Sequence, residues 1–184
     1  MDDQLSNDHA ELGKLLGKFF DALEAGDITQ SHSRLDLFWA RLAMHIRAEH
    51  LHLFPAILRA LNETHAKNSG TTPSKSQAVN AIEQLRSDHD FFMHELGRAM
   101  ATMRELVASR DRQATGRDLE QVKARIVAVA ERLATHNTLE ESEVYLWATS
   151  LLTSGARSDL AMLIHTELNN LPPRFDQQDE AELI

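Results

Sequence analysis

Four stretches of the chain place apolar residues at the i, i+3, i+4, i+7 spacing of a helix with one buried face. In the first the row is Leu5, His9, Leu12, Leu16, Phe19 and Leu23; in the second it is Leu35, Phe38, Leu42, His45, Glu49, His52, Leu53, Ala56 and Ala60. The third gives Ile82, Leu85, His89, Phe92, Leu96, Met100 and Met103, and the fourth Leu119, Val122, Ile126, Val129, Leu133, His136, Glu140, Val144, Trp147 and Leu151. Helix breakers fall between these rows, at Gly26-Asp27, Asn68 to Pro73, Ser109 to Asp111, Thr153 to Gly155 and Pro172-Pro173. The pattern predicts helical segments over 4–25, 29–62, 75–109, 113–152 and 156–170. At 1.5 Å per residue the long ones would reach roughly 45–60 Å, so they need one another as packing partners. The expected architecture is all-α, an antiparallel up-and-down four-helix bundle with a short additional C-terminal helix. One domain is expected over 1–171, followed by an acidic tail over 172–184. Pro55 should perturb the second segment, because it leaves the Leu51 carbonyl without its donor.

Composition narrows this picture. Of 184 residues, 26 are Leu and 23 Ala, while Val and Ile together number 13, too few for a large sheet. A formal net charge of −9 and the lack of a Lys/Arg stripe exclude a nucleic-acid partner. The acidic start, Met1-Asp2-Asp3, is unlike a secretory signal, and no apolar run is long enough for a membrane span, so a cytoplasmic protein is expected. With no cysteine, a bound metal must be held by His and carboxylates, and ten His are available.

The apolar rows are interrupted in a repeated way. Each contains a His, and in two of them a Glu follows it four residues later: His45-Ile46-Arg47-Ala48-Glu49 and His136-Asn137-Thr138-Leu139-Glu140. That spacing turns about 400° around a helix, which leaves the two side chains within roughly 40° of each other and one turn apart. Asn7-Asp8-His9 resembles Ser87-Asp88-His89, and each precedes a His-x-x-x-Glu helix. Facing one another, the two halves would bring His9, His45, His89, His136, Glu49 and Glu140 to one level of the core. Any one of these His, taken singly, reads as a hydrogen-bonded core residue. Six polar groups buried in a single layer would each cost several kcal/mol if unpaired, on the order of 2–7 kcal/mol, and a pair of metal ions resolves that cost.

The set His9, then His45-x-x-x-Glu49 running into Leu53-Phe54-Pro55, then His89, then His136-x-x-x-Glu140-Glu141 running into Val144-Tyr145 resembles the hemerythrin-like, or HHE cation-binding, family over about residues 5–150. The resemblance implies an up-and-down four-helix bundle around two iron ions. His9, His45, His89 and His136 would be terminal ligands and Glu49 and Glu140 bridges; Zn or Mn would suit the same donors. Ferritin-like bundles use Glu-x-x-His on two helices instead, and here that order occurs only once, from Glu49 to His52. Oxygen carriers of the family have a further His four residues after the third-helix ligand, where this chain has Met93. His94 lies about 140° away on an ideal helix and would need a bulge to join the site. Glu141, where the carriers have Asp, competes with Glu140 for the bridge, and the apolar row selects Glu140.

Four His and two Glu make the pattern closer to bacterial members linked to iron–sulfur repair and nitric oxide stress. The cysteine-rich stretch of those proteins has no counterpart here. The implied function is binding or sensing of O₂ or NO, or iron handling under oxidative or nitrosative stress. The alternative is a redox enzyme turning over peroxide, O₂ or NO. No nucleotide loop or nucleophile triad accompanies the site. His32, His50, His65 and His165 read as solvated, and Trp39 and Trp147 as core. The fifth segment either covers one end of the bundle or contacts a second copy. His52 and Glu143 stand one heptad beyond His45 and His136, so the end of the bundle near Leu5 and Leu85 is expected to be polar, the two residues being either exposed at a widening end or a His–Glu pair that orients the ligands and passes protons.

Overall fold

The periods in the sequence become helical rods. A computed structural model describes residues 2–63, 72–108 and 112–175. In it α1 is Asp2–Glu24, α2 Ile28–Ala48, α3 Phe54–Glu63, α4 Lys75–Ala108, α5 Arg112–Leu139, α6 Tyr145–Leu151 and α7 Ser154–Leu168. A π-helical turn, Glu49–Leu53, joins α2 to α3, and another, Glu140–Val144, joins α5 to α6, so that five rods result. No strand occurs among the described residues, and no helix there is long and apolar enough to cross a membrane.

α1 packs along α2 and α4 along α5, and α2 and α4 bring the two pairs together into a helical bundle. The first reversal is made by Gly26, whose φ of 73° is left-handed. It lets the Gly26 and Asp27 amides cap the carbonyls of Leu23 and Ala22 at 3.1 and 3.0 Å. Asp27 then accepts from the Gln30 amide and starts α2. A β-carbon is disfavoured in this backbone conformation, so Gly26→Ala is expected to cost about 1–2 kcal/mol. Calorimetry should show it as a fall of roughly 2–8 °C in the unfolding midpoint.

The apolar rows close into two clusters with a polar layer between them. One holds Leu12, Phe19, Leu35, Phe38, Leu42, Phe92, Leu96, Met100, Ile126 and Val129. The other holds Leu5, Leu53, Phe54, Ile57, Ile82, Leu85, Val144, Tyr145 and Trp147, with Leu160 and Ile164 of α7 packed on it. Covering this second cluster is therefore the work of the fifth rod, whose outer residues Met162 and Leu163 stay exposed. Trp39 is partly buried against the first cluster, so both tryptophans are packing residues. Beyond α7, Arg174 pairs with Asp36, and Phe175 is buried in the first cluster; residues 176–184, most of the expected acidic tail, lie outside the described residues.

Two expectations change here. Pro55 does leave Leu51 without an α-helical donor, but the perturbation is a π turn in which the Phe54 amide reaches the Glu49 carbonyl. The Tyr145 amide makes the same bond to Glu140 in a segment without proline, so proline is not the shared cause. The wider turn also shifts the register behind it. His52 moves to the flank, 4.0 Å from Glu167 of α7, and Glu143 is exposed, while Phe54 and Tyr145 turn inward beside Leu53 and Val144, which are buried as the rows predict. The end expected to be polar is apolar.

Candidate metal centre

The polar layer lies one turn from the apolar residues on each rod, and it contains all six residues singled out in the sequence. His9, His45, His89 and His136 are buried, and Glu49 and Glu140 are 0% exposed. α1 and α2 supply His9 and His45, with Nε2 atoms 3.1 Å apart; α4 and α5 supply His89 and His136, at 3.0 Å. Each Glu opens a π turn between these pairs and spans them. Glu49 sets Oε1 3.5 Å from His45 Nε2 and Oε2 3.3 Å from His89 Nε2. Glu140 sets Oε2 3.2 Å from His9 Nε2 and Oε1 3.0 Å from His136 Nε2.

These contacts do not satisfy the atoms as hydrogen bonds. Glu49 Oε2 and Glu140 Oε1 are buried without a hydrogen-bond partner, although the imidazoles approach them closely. Orphaned carboxylate oxygens in a dry core are costly unless a cation takes them. Two ligands on one ion at roughly 2.1 Å and at right angles are themselves roughly 3.0 Å apart, and the Nε2 and carboxylate spacings fall near that figure. Two overlapping sets of donors converge in this way: Glu49, His89, His136 and Glu140 in one, His9, His45 and Glu140 in the other. The donor set therefore fits metal.

The outward-facing nitrogens are all occupied. Asp8 Oδ2 lies 2.9 Å from His45 Nδ1, and Asp88 Oδ2 lies 3.2 Å from His136 Nδ1. Each Asp is held in turn by an arginine, Arg41 at 2.8 Å and Arg132 at 2.7 Å. Glu141 Oε1 stands 2.8 Å from His9 Nδ1, and His50 Nε2 stands 2.8 Å from His89 Nδ1. With Nδ1 engaged, every imidazole is aimed at the site through Nε2, the arrangement that fixes a metal ligand's orientation and raises its basicity.

Charge is concentrated here. Burial disfavours a charged His45, but the nearby Glu49 carboxylate and the hydrogen bond to Asp8 outweigh it and raise its pKa to about 10. Burial likewise opposes ionisation of Glu49, which His45 and His89 nevertheless keep well below the usual carboxylate range. His136 is raised, against its burial, by Glu140, and Asp8 is lowered, against its burial, by His45 and Arg41. A metal ion must displace the His45 proton, so binding to this residue releases protons.

Other neighbours of the site were left open by the sequence pattern, read as solvated, or given no role by it. His94 points to solvent, its side chain 66% exposed beside Glu95, because α4 has no bulge there. Glu141 is not a competing bridge; it backs His9. His50, expected to be solvated, is half-buried against His89, since the π turn brings it around to the site's edge. Burial, with the charges of His89 and Arg86, lowers its pKa. His32 is half-buried, His165 is exposed, and His65 lies outside the described residues. Asp8, Arg41, Asp88 and Arg132 carry no role in the sequence reading. The repeated signal was nevertheless present, as Arg41-x-x-x-His45-x-x-x-Glu49 and Arg132-x-x-x-His136-x-x-x-Glu140.

A helical bundle with a buried layer of four imidazoles and two carboxylates defines a metal-binding protein. Comparison with known families agrees: the model of the hemerythrin HHE cation binding domain matches residues 1–148. The chain belongs to that family. No curated protein and no solved structure matches it.

Proposed function

We propose that the chain holds a di-iron centre through His9, His45, His89, His136, Glu49 and Glu140, and that it binds or senses O₂ or NO, or handles iron under oxidative or nitrosative stress. One observation carries the reading: each carboxylate presents one oxygen to each imidazole pair, as a bridge between two ions requires. Zn or Mn would suit the same donors, and the family's di-iron pattern favours iron. The reading includes an antiparallel up-and-down course for the four long rods and a cytoplasmic location; a second copy of the chain docked on the exposed side of α7 would fit it as well.

Iron, when bound, supplies reversible coordination of small ligands and one-electron redox chemistry. The rest belongs to the chain. The two apolar clusters exclude water from both sides of the layer, which strengthens each electrostatic contact within it. Asp8 and Asp88 fix His45 and His136, while Arg41 and Arg132 hold those carboxylates in place.

A second reading, turnover of peroxide, O₂ or NO, is favoured by Glu141 and His50. Both reach the protein surface while touching Nδ1 of a site imidazole, so each can exchange a proton between solvent and the site. Steady-state assays of the reduced protein separate the two readings. Binding or sensing predicts one stoichiometric spectral change per site and no sustained consumption; many turnovers of peroxide or NO per site would establish the enzyme instead.

A further inference from the structure

The two halves of the site repeat one another closely, but they differ at the group behind the first His of each, Glu141 behind His9 and His50 behind His89, and at one aromatic ring. Asp8-His9 matches Asp88-His89, and Arg41, His45 and Glu49 match Arg132, His136 and Glu140. At the end of each π turn an aromatic ring stacks on the first His of the opposite helix pair. The Phe54 ring lies 6.2 Å from His89 at 14°, and the Tyr145 ring lies 6.0 Å from His9 at 25°. Both rings are buried and alike in placement, so within the layer the Tyr145 hydroxyl is what distinguishes one ring from the other.

That hydroxyl does not point to a backbone carbonyl or to solvent. It lies 3.2 Å from Glu49 Oε1, 3.3 Å from Glu140 Oε2 and 3.3 Å from His9 Nε2. These three atoms belong to the His9/His45 side of the layer. The spacings are again near the roughly 3.0 Å expected of neighbouring ligands on one ion. A structural hydrogen bond would need one of these acceptors; standing almost equally far from all three is the geometry of a common centre.

We propose that the Tyr145 hydroxyl is a seventh protein ligand, on the His9/His45 side of the centre, and that the His89/His136 side, where Phe54 stands in the equivalent place, is the one that admits an exogenous ligand. The inference rests on the di-iron reading above. On coordination the phenol O–H bond is replaced by an oxygen–metal bond and the proton leaves to solvent, with no transfer of electrons. The two ions are then unequal although the chain around them is a near repeat.

The test uses the full-length protein loaded with Fe(II) without oxygen and then oxidised. The wild type should carry two irons and a visible charge-transfer band whose resonance Raman spectrum shows tyrosinate ring modes. Tyr145→Phe reproduces the side chain that the other half accommodates; it should keep two irons and lose both signals. Phe54→Tyr should add a second tyrosinate and weaken azide binding at least about tenfold, equivalent to ~1.4 kcal/mol. Two irons without tyrosinate modes, or modes that survive in Tyr145→Phe, overturn the ligand assignment alone. Unchanged azide affinity in Phe54→Tyr overturns the open side, and fewer than two irons in the wild type overturns the di-iron reading and this proposal with it.

Discussion

Glu140→Ala is expected to release at least one metal and to produce the largest loss of stability of any single change in the polar layer. Glu140 is fully buried, and its two oxygens face His136 and His9 in opposite halves of the protein. Truncation removes a donor from both metal positions at once. It also leaves two imidazoles facing a void, and breaking a buried charged pair on one side costs about 3–5 kcal/mol. The unfolding midpoint should fall by roughly 6–20 °C, at about 2–4 °C per kcal/mol for a chain of this size. Elemental analysis and calorimetry on the same preparation check both parts. A variant that retained the wild-type metal content would show that Glu140 is a core carboxylate with no part in binding. Glu141→Ala provides the contrast, since Glu141 is half-exposed and touches only His9 Nδ1, so both metals should stay.

Asp88→Ala should act on metal affinity without removing a donor from the site. Asp88 holds His136 through Nδ1 and is itself held by Arg132. Its loss frees the imidazole to rotate and leaves Arg132 without that carboxylate. Removing such an outer partner weakens metal binding by about 10–100-fold, which competition with a chelator can measure. Asp8→Ala should match it through His45 and Arg41, because the halves repeat. Equal affinities in the wild type and both variants would mean that packing alone orients the imidazoles.

The helices and the six central residues were legible because both rest on periodicity. An apolar row broken by His, with Glu one turn later in two of the four rows, has few physical solutions once the rows face one another. The order of the rods and the breaks at Gly26 and Thr153 followed from the same reading. The π turns were not legible. Glu49–Leu53 and Glu140–Val144 share neither proline nor a common composition, so nothing local specifies the wider turn. Both begin at a buried Glu that reaches across to the opposite half, so the turn is a tertiary outcome. Once it forms, straight helical extrapolation still places Leu53, Val144 and Trp147 in the core, but it misses His50 at the edge of the site and His52 on the flank, and it assigned Tyr145 no role. The arginine–aspartate pairs were hidden for a different reason. Asp8 and Arg41 lie on separate helices, and a sequence shows that pairing only when the repeat in Asp88 and Arg132 is read as a contact.

The central claim, a dinuclear centre held between the halves, is tested most directly by counting metal. Protein purified without a metal-affinity tag, incubated with Fe(II) under anaerobic conditions and desalted, should hold two irons per chain. One iron or none per chain would contradict it.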